Sequence, residues 1–317
     1  MLRYALRRVP SALLVLLIAS VLVFGVLRLA PGDPAVVLAG PDASAATVAH
    51  VRAALGLDSA LPVQYWTWLT GLSTGDLGTS FILGAPITTL IGHGLGNTLE
   101  LTTAALVLAL LGGGVAGVLL GTARHKGVRA LLGGAVNLAL AVPPYVTGVL
   151  LVLLLSVTFR VLPASGHESL LADPVIGVQY LLLPALCLAL PTGAVLARFL
   201  AAALRKSGQE DYVRTGHGKG LTERRLLTRH TLPGALPPVI TVLGIQIGQL
   251  LGGAIVVEAV FAWPGIGQLL LQAVLGRDYL LVQDLLLFAV GVFVVLQTLT
   301  DLVQAGLDPR VRIGGGV

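Results

Sequence analysis

The chain has 317 residues, 56% of them hydrophobic and only 11% charged, with a net charge of +5 and one cysteine. A soluble domain carries roughly a quarter charged residues, so these charges are too few to cover a water-facing surface. The composition excludes a soluble protein of this length. The lone Cys187 excludes an intrachain disulfide and a cysteine-rich metal centre, and in its apolar run it reads as a small buried hydrophobe.

Apolar blocks of roughly the 20 residues needed to cross a hydrocarbon core as helix occur at about 9–30, 98–121, 131–158, 178–201, 237–260 and 281–305. They predict an all-α membrane protein, a polytopic bundle of about six transmembrane helices. The first block follows Arg3, Arg7 and Arg8. It is longer than a signal-peptide core and lacks a clean cleavage site, so it reads as a retained helix.

Residues 31–97 follow as an external segment. Val48, Val51 and Leu55 share one face of a short helical pattern, and Pro62 opens a stretch with Tyr65, Trp66 and Trp68. These residue types favour the membrane–water interface, which predicts short surface helices and is compatible with docking of an external partner. In the second span, Gly112, Gly113 and Gly114 invite close helix approach. In the fifth, Gln246 and Gln249 can bond across to neighbours.

The segment 202–236 is the most polar of the chain, and acidic Glu210 and Asp211 lead while basic residues follow. That order suits a helix dipole. It predicts a short helix, a glycine break at Gly216-His217-Gly218-Lys219-Gly220 and a second helix, with Leu232-Pro233 and Pro237-Pro238 marking where the next span begins.

Basic residues alternate between loops. They crowd the N-terminus, the loop with Arg124, Lys126 and Arg129, the loop from Arg205 to Arg229, and the tail with Arg310 and Arg312. The positive-inside rule then places both termini and these loops in the cytoplasm, which requires an even number of spans. The positive charge therefore needs no nucleic acid to explain it.

Little in the chain suggests catalysis. There is no G-x-x-x-x-G-K-[ST] sequence, and the glycine-rich stretch at Lys219 lacks the preceding strand and the spacing for phosphate. The six histidines, His50, His93, His125, His167, His217 and His230, are scattered. Ser165-Gly166-His167-Glu168 puts three catalytic residue types side by side, but a triad is a matter of geometry and not of adjacency. Arg28, Glu100, Arg198, Glu258, Asp284 and Asp301 fall near the expected span ends, so no relay of ionisable groups crosses the bilayer.

The polar segment resembles the coupling loop of permease subunits of bacterial ABC importers, E-A-A-x3-G-x9-I-x-L-P. Gly220, Leu232 and Pro233 agree in spacing, whereas Arg214-Thr215-Gly216 and His230 replace the remaining positions. The dipeptide/oligopeptide branch, with D-Y-[VI]-R-T-A-R-A-K-G-L, is more similar. Asp211-Tyr212-Val213-Arg214-Thr215 and Lys219-Gly220-Leu221 match, with Gly216-His217-Gly218 in place of A-R-A. Further matches run in order along the chain. They include Ala30-Pro31-Gly32-Asp33-Pro34, Leu55-Gly56-Leu57-Asp58, Gly75-Asp76-Leu77-Gly78-Thr79-Ser80, Asn97-Thr98-Leu99-Glu100, Trp263-Pro264-Gly265-Ile266-Gly267 and Leu307-Asp308-Pro309-Arg310.

The resemblance implies a type I ABC importer permease fold in the bacterial inner membrane, one permease domain over 1–317. It also implies a second homologous permease subunit forming a heterodimer, two ATP-binding subunits, an extracytoplasmic substrate-binding protein, and lipid around the spans. ATP and Mg would be used by the partner subunits and no cofactor bound by this chain. Asp211, Tyr212, Arg214, Thr215, Gly216, His217, Lys219, Gly220 and Leu221 would dock on the ATPase. Tyr212, Thr215, Gly216 and Lys219 share a helical face by spacing. Residues 31–97 and 261–280 would meet the binding protein. Dipeptides, longer peptides, nickel chelates and haem all remain open as cargo, and the alternative function is a secondary transporter or channel that works without ATP.

Overall fold

A computed structural model describes residues 2–29, 33–40, 42–54 and 56–307. Of the residues singled out above, Ala30, Pro31, Gly32, Leu55, Asp308, Pro309, Arg310 and Arg312 lie outside the described residues, as do the side chains of Arg3, Arg7, Arg8 and Asp301. The described residues form helices α1 (Leu2–Leu29), α2 (Pro34–Ala39), α3 (Ala45–Ala54), α4 (Leu61–Thr74), α5 (Ile87–Thr122), α6 (Lys126–Ala141), α7 (Pro144–Leu151), α8 (Pro174–Ser207), α9 (Asp211–Gly218), α10 (Glu223–Leu226), α11 (Leu232–Phe261), α12 (Ile266–Leu275) and α13 (Tyr279–Leu307). Among the described residues five stretches are long and apolar enough to cross a membrane, and one bent pair makes a sixth if it is a single span.

That bent pair corrects the expected continuous span at 131–158. Helix α6 and the stretch Pro144–Thr158 meet at 106°. The cause is local. Pro143 and Pro144 offer no backbone N–H to continue the α6 ladder, and the residue before a proline is pushed toward extended backbone. Val142 sits there at φ −87° and ψ 121°. Pro144 then serves as the first residue of α7, a place where its missing donor costs nothing.

A second correction concerns Pro237 and Pro238. They do not mark the start of the fifth span but lie inside α11. The helical stretch begins back at Glu223 and passes through a π-helical segment, Leu227–Thr231, before α11. Prolines persist inside membrane helices because neighbouring groups and local π geometry satisfy the freed backbone.

The described residues separate into two compact units, one of Thr98–Trp263 with 299–307, the other of Leu2–Asn97 and Pro264–Thr298. In the first, α8 is the central element, buried along most of its length. It begins at Asp173, whose carboxylate accepts from the N–H groups of Val175 and Ile176 and so caps the helix. Small residues set how closely α5 lies on it. A Cβ added to Gly113 would stand 2.5 Å from the Gly193 carbonyl oxygen, and one on Gly117 would meet Leu200 at 2.9 Å. Leu101, Leu183, Cys187, Val257, Phe261 and Trp263 form the main buried cluster.

The second unit has its own core of Ile87, Ile91, Ile266, Leu269, Leu281 and Leu285. Helix α4 has no buried residue and leans on α1 through rings. Phe24 lies edge-on to Tyr65 with centroids 5.3 Å apart, and the Tyr65 hydroxyl is 2.8 Å from that of Ser20. The Gly75–Ser80 stretch that figured in the resemblance is a turn with stated causes. Gly75 and Gly78 take φ of 79° and 73°, which glycine adopts without steric cost. Asp76 accepts from the Gly78 N–H, and the Ser80 hydroxyl donates to Asp278 at 2.7 Å.

Candidate functional site

Helix α9 is short and polar, and its ends are built from the residues that the motif supplies. Asp211 occupies the first turn, matching the sign of the helix dipole, and His217 the last. At its C-terminus the Leu221 N–H donates to the Gly216 carbonyl and the Gly220 N–H to that of His217. Gly220 takes φ of 76°. This is the Schellman arrangement, which needs a residue free to adopt left-handed backbone and an apolar residue after it. Leu221 fills the second role, its Cδ1 lying 3.4 Å from where a Gly216 Cβ would be. The Lys219-Gly220-Leu221 part of the motif is thus a helix stop.

The residues expected to share a docking face divide in two. Val213 and Gly216 are buried, whereas Asp211, Tyr212, Arg214, Thr215, His217, Lys219 and Gly220 are exposed and Leu221 is intermediate. Gly216 faces α10: a Cβ there would come 2.5 Å from Leu226 Cδ2. The glycine that departs from the branch pattern therefore lets α9 and α10 close on each other. Gly218 has open space around it, and no packing reason for glycine is visible there.

Three residues that sequence reasoning did not single out hold α9 in place. The Tyr212 hydroxyl lies 2.7 Å from that of Ser207, which is buried at the last position of α8. A Cβ on Gly234 of α11 would stand 2.9 Å from either hydroxyl oxygen. Leu226 supplies the floor. Each contact joins separate helices, and the only signal in the sequence was a small residue at each approach point.

A groove of about 630 Å³ runs along this side, lined by Arg124, Arg205, His217, Glu223 and Arg224 among others. Arg124 pairs with Glu223 at 2.8 Å, both side chains more than two-thirds exposed. Such an exposed pair is worth well under about 1 kcal/mol, so it orients the loop more than it stabilises it. The surface carries positive charge beside an exposed helix.

A second cluster lies elsewhere in the same unit. Glu258, fully buried, accepts from the Thr98 hydroxyl at 2.6 Å, and His167 lies 3.4 Å from Glu100 with its ring edge-on to Trp263. His167 is thus partnered by Glu100, far from it in the chain, and its ring packs against Trp263. Trp263 is completely buried and offers no surface to a partner. Among the described residues no group of histidines, cysteines and carboxylates could hold a metal ion.

Comparison with known proteins covers nearly the whole length. The profile of the family described as "Binding-protein-dependent transport system inner membrane component" matches residues 113–313. That of "Binding-prot-dependent transport system membrane comp, N-term" matches residues 1–102. The Glutathione transport system permease protein GsiC of Salmonella typhimurium is 37% identical over 313 residues, covering 98% of this chain and 99% of the relative. The "Probable peptide ABC transporter permease protein y4tP" of Sinorhizobium fredii is 35% identical over 309 residues, covering 98% and 99%. Among solved structures, the inward-facing MetNI methionine ABC transporter superposes with a TM-score of 0.57 at 20% identity, over 69% of this chain and 96% of that one.

Proposed function

The chain belongs to the family of binding-protein-dependent transport system inner membrane components, the multi-pass permeases of ABC importers, and on that premise we propose that α9 is the element through which partner ATPases move its spans. The observation that carries this reading is the mounting of α9. Its outer residues Arg214, Thr215, His217 and Lys219 are exposed, while its inner residues seat on Leu226 and its tyrosine reaches α8. A short helix held on both sides transmits a push applied to its outer face, whereas a solvated loop would absorb it.

In this reading ATP and Mg are bound by two partner ATPase subunits and no cofactor by this chain. A second, homologous permease completes the pore, and an extracytoplasmic binding protein delivers cargo to residues within 31–97 and 261–280. Short peptides are the cargo class, in line with relatives named for glutathione and peptide transport. The self-contained secondary transporter is set aside by the family match.

Both termini lie in the cytoplasm in this reading. The loops with Arg124, Lys126 and Arg129 and with Arg205 to Arg229 then share a side. This requires the bent α6–α7 pair to cross the bilayer as one broken span.

The test is co-purification of the tagged chain from gently solubilised membranes, comparing the native protein with Arg214→Glu and Lys219→Glu. Recovery of an ATPase and a second permease from the native chain, with the ATPase alone lost on charge reversal, is the expected result. A folded chain recovered only with itself, and transporting without ATP, would sink the reading.

A further inference from the structure

The second unit contains a cavity of about 470 Å³ with a further space of about 300 Å³ that shares Arg28 and Gln64 in its lining. We propose that this cavity binds a membrane phospholipid, its phosphate on Arg28 and its acyl chains along the exposed face of α1.

Arg28 is the reason. Its Nε and Nη2 both donate to one neutral acceptor, Gln64 Oε1, at 3.2 and 2.9 Å. Gln64 is held in that pose because its own amide N–H groups donate to the Leu57 and Ser59 carbonyls. The guanidinium also lies 4.7 Å from the Phe24 ring centroid. Among the described residues no carboxylate pairs with Arg28, while Arg52 takes Asp33. An oriented guanidinium with donors to spare is suited to bidentate recognition of a phosphate.

The setting selects a lipid over a free anion. Arg28 stands at the end of the apolar stretch Val9–Leu29, where headgroups meet the span. Trp68, Phe81 and Tyr279 line the same cavity, residue types that sit at headgroup depth. On α1 beside it Val21, Leu22, Val26 and Leu29 are exposed, leaving an aliphatic track for acyl chains. The proposal stands whether or not the cargo is a peptide.

The experiment is native mass spectrometry of the full chain, delipidated in mild detergent and then incubated with palmitoyl-oleoyl phosphatidylglycerol or with dioleoylglycerol, which lacks the phosphate. One phosphatidylglycerol is expected to be retained and dioleoylglycerol not. Arg28→Gln should weaken retention about tenfold, the loss of a charge-assisted contact. Thr67→Trp, which fills the cavity from an exposed helical position and keeps Arg28, should weaken it as well, and stands in if Arg28→Gln does not fold. Arg124→Gln, in the other unit, should change nothing. Equal retention by Arg28→Gln or by Thr67→Trp, or equal binding of dioleoylglycerol, would overturn the proposal. So would displacement of the lipid by inorganic phosphate or by glutathione, which would make the cavity a site for a soluble anion or for cargo.

Discussion

The hydroxyl of Tyr212 lies 2.7 Å from the hydroxyl of Ser207, so the exposed helix α9 is tied to the buried end of the central helix α8. Gly234 of α11 stands against both oxygens. Motion of α9 therefore reaches two long helices through three small groups.

Tyr212→Phe should leave α9 formed but cost about 1–2 kcal/mol, since it leaves the buried Ser207 hydroxyl without its partner. Ser207→Ala should cost a similar amount, and the double variant little more than either, because the two act as one contact. Thermal unfolding of the purified chain in detergent reads all three. Additive losses would show that the hydroxyls act separately.

Gly216→Ala and Gly218→Ala should move stability in opposite directions. Alanine gains up to about 1 kcal/mol over glycine within a helix. At Gly218, where nothing lies within 4 Å, that gain is kept. At Gly216 the new methyl meets Leu226 at 2.5 Å, and overpacking of about 1–3 kcal/mol outweighs it. Leu226→Ala in the Gly216→Ala background should restore part of the loss, and no recovery would mean that the clash is not the cause.

Within the glycine triplet of α5 only one position should be intolerant. Gly113→Ala drives a methyl into the Gly193 backbone, which cannot swing aside, and should cost about 3 kcal/mol. Gly112→Ala and Gly114→Ala face open space and should stay within about 0.5 kcal/mol of the native chain. Melting temperatures of the three variants decide it, and equal losses at all three would mean that the α5–α8 approach is looser than described.

Trp68→Phe removes the indole N–H that donates to Asp284 at 2.7 Å. The carboxyl is buried, and its other oxygen already lacks a partner. A loss of about 1–3 kcal/mol is expected. Adding Asp284→Leu should recover much of it, because replacing both partners by apolar groups removes the orphaned acceptor. A double variant less stable than the single one would show that the carboxyl has another role.

The broken α6–α7 pair can be placed with thiol reagents. In a Cys187→Ala background, Gly127→Cys and His217→Cys should both react with a membrane-impermeant maleimide only from the cytoplasmic side, and Ser165→Cys only from the other. Labelling of Gly127→Cys and His217→Cys from opposite sides would make the pair a re-entrant loop and put the termini on different faces.

The sequence alone established the solvent of this protein and the order of its parts. Charge scarcity and apolar runs report the bilayer directly, because every residue facing lipid must be apolar whatever it packs against. The motif Asp211–Leu221 was recognised by resemblance, and the glycine break expected from Gly216 to Gly220 is instead a helix that continues to Gly218 and stops at Gly220. The break at Pro143-Pro144 was local and was passed over because the flanking apolar run is long enough for one span.

What only the tertiary structure decided are the approaches between distant segments. Spacing put Gly216 on one face with Tyr212, but packing turned Gly216 toward Leu226 and anchored the Tyr212 hydroxyl on Ser207. Burial of Glu258 on Thr98, and of Asp284 on Trp68, follows from helices meeting far along the chain. A sequence records which residues can be apolar or turn. Which side chain fills the space left by a glycine depends on a second helix whose position only the fold supplies.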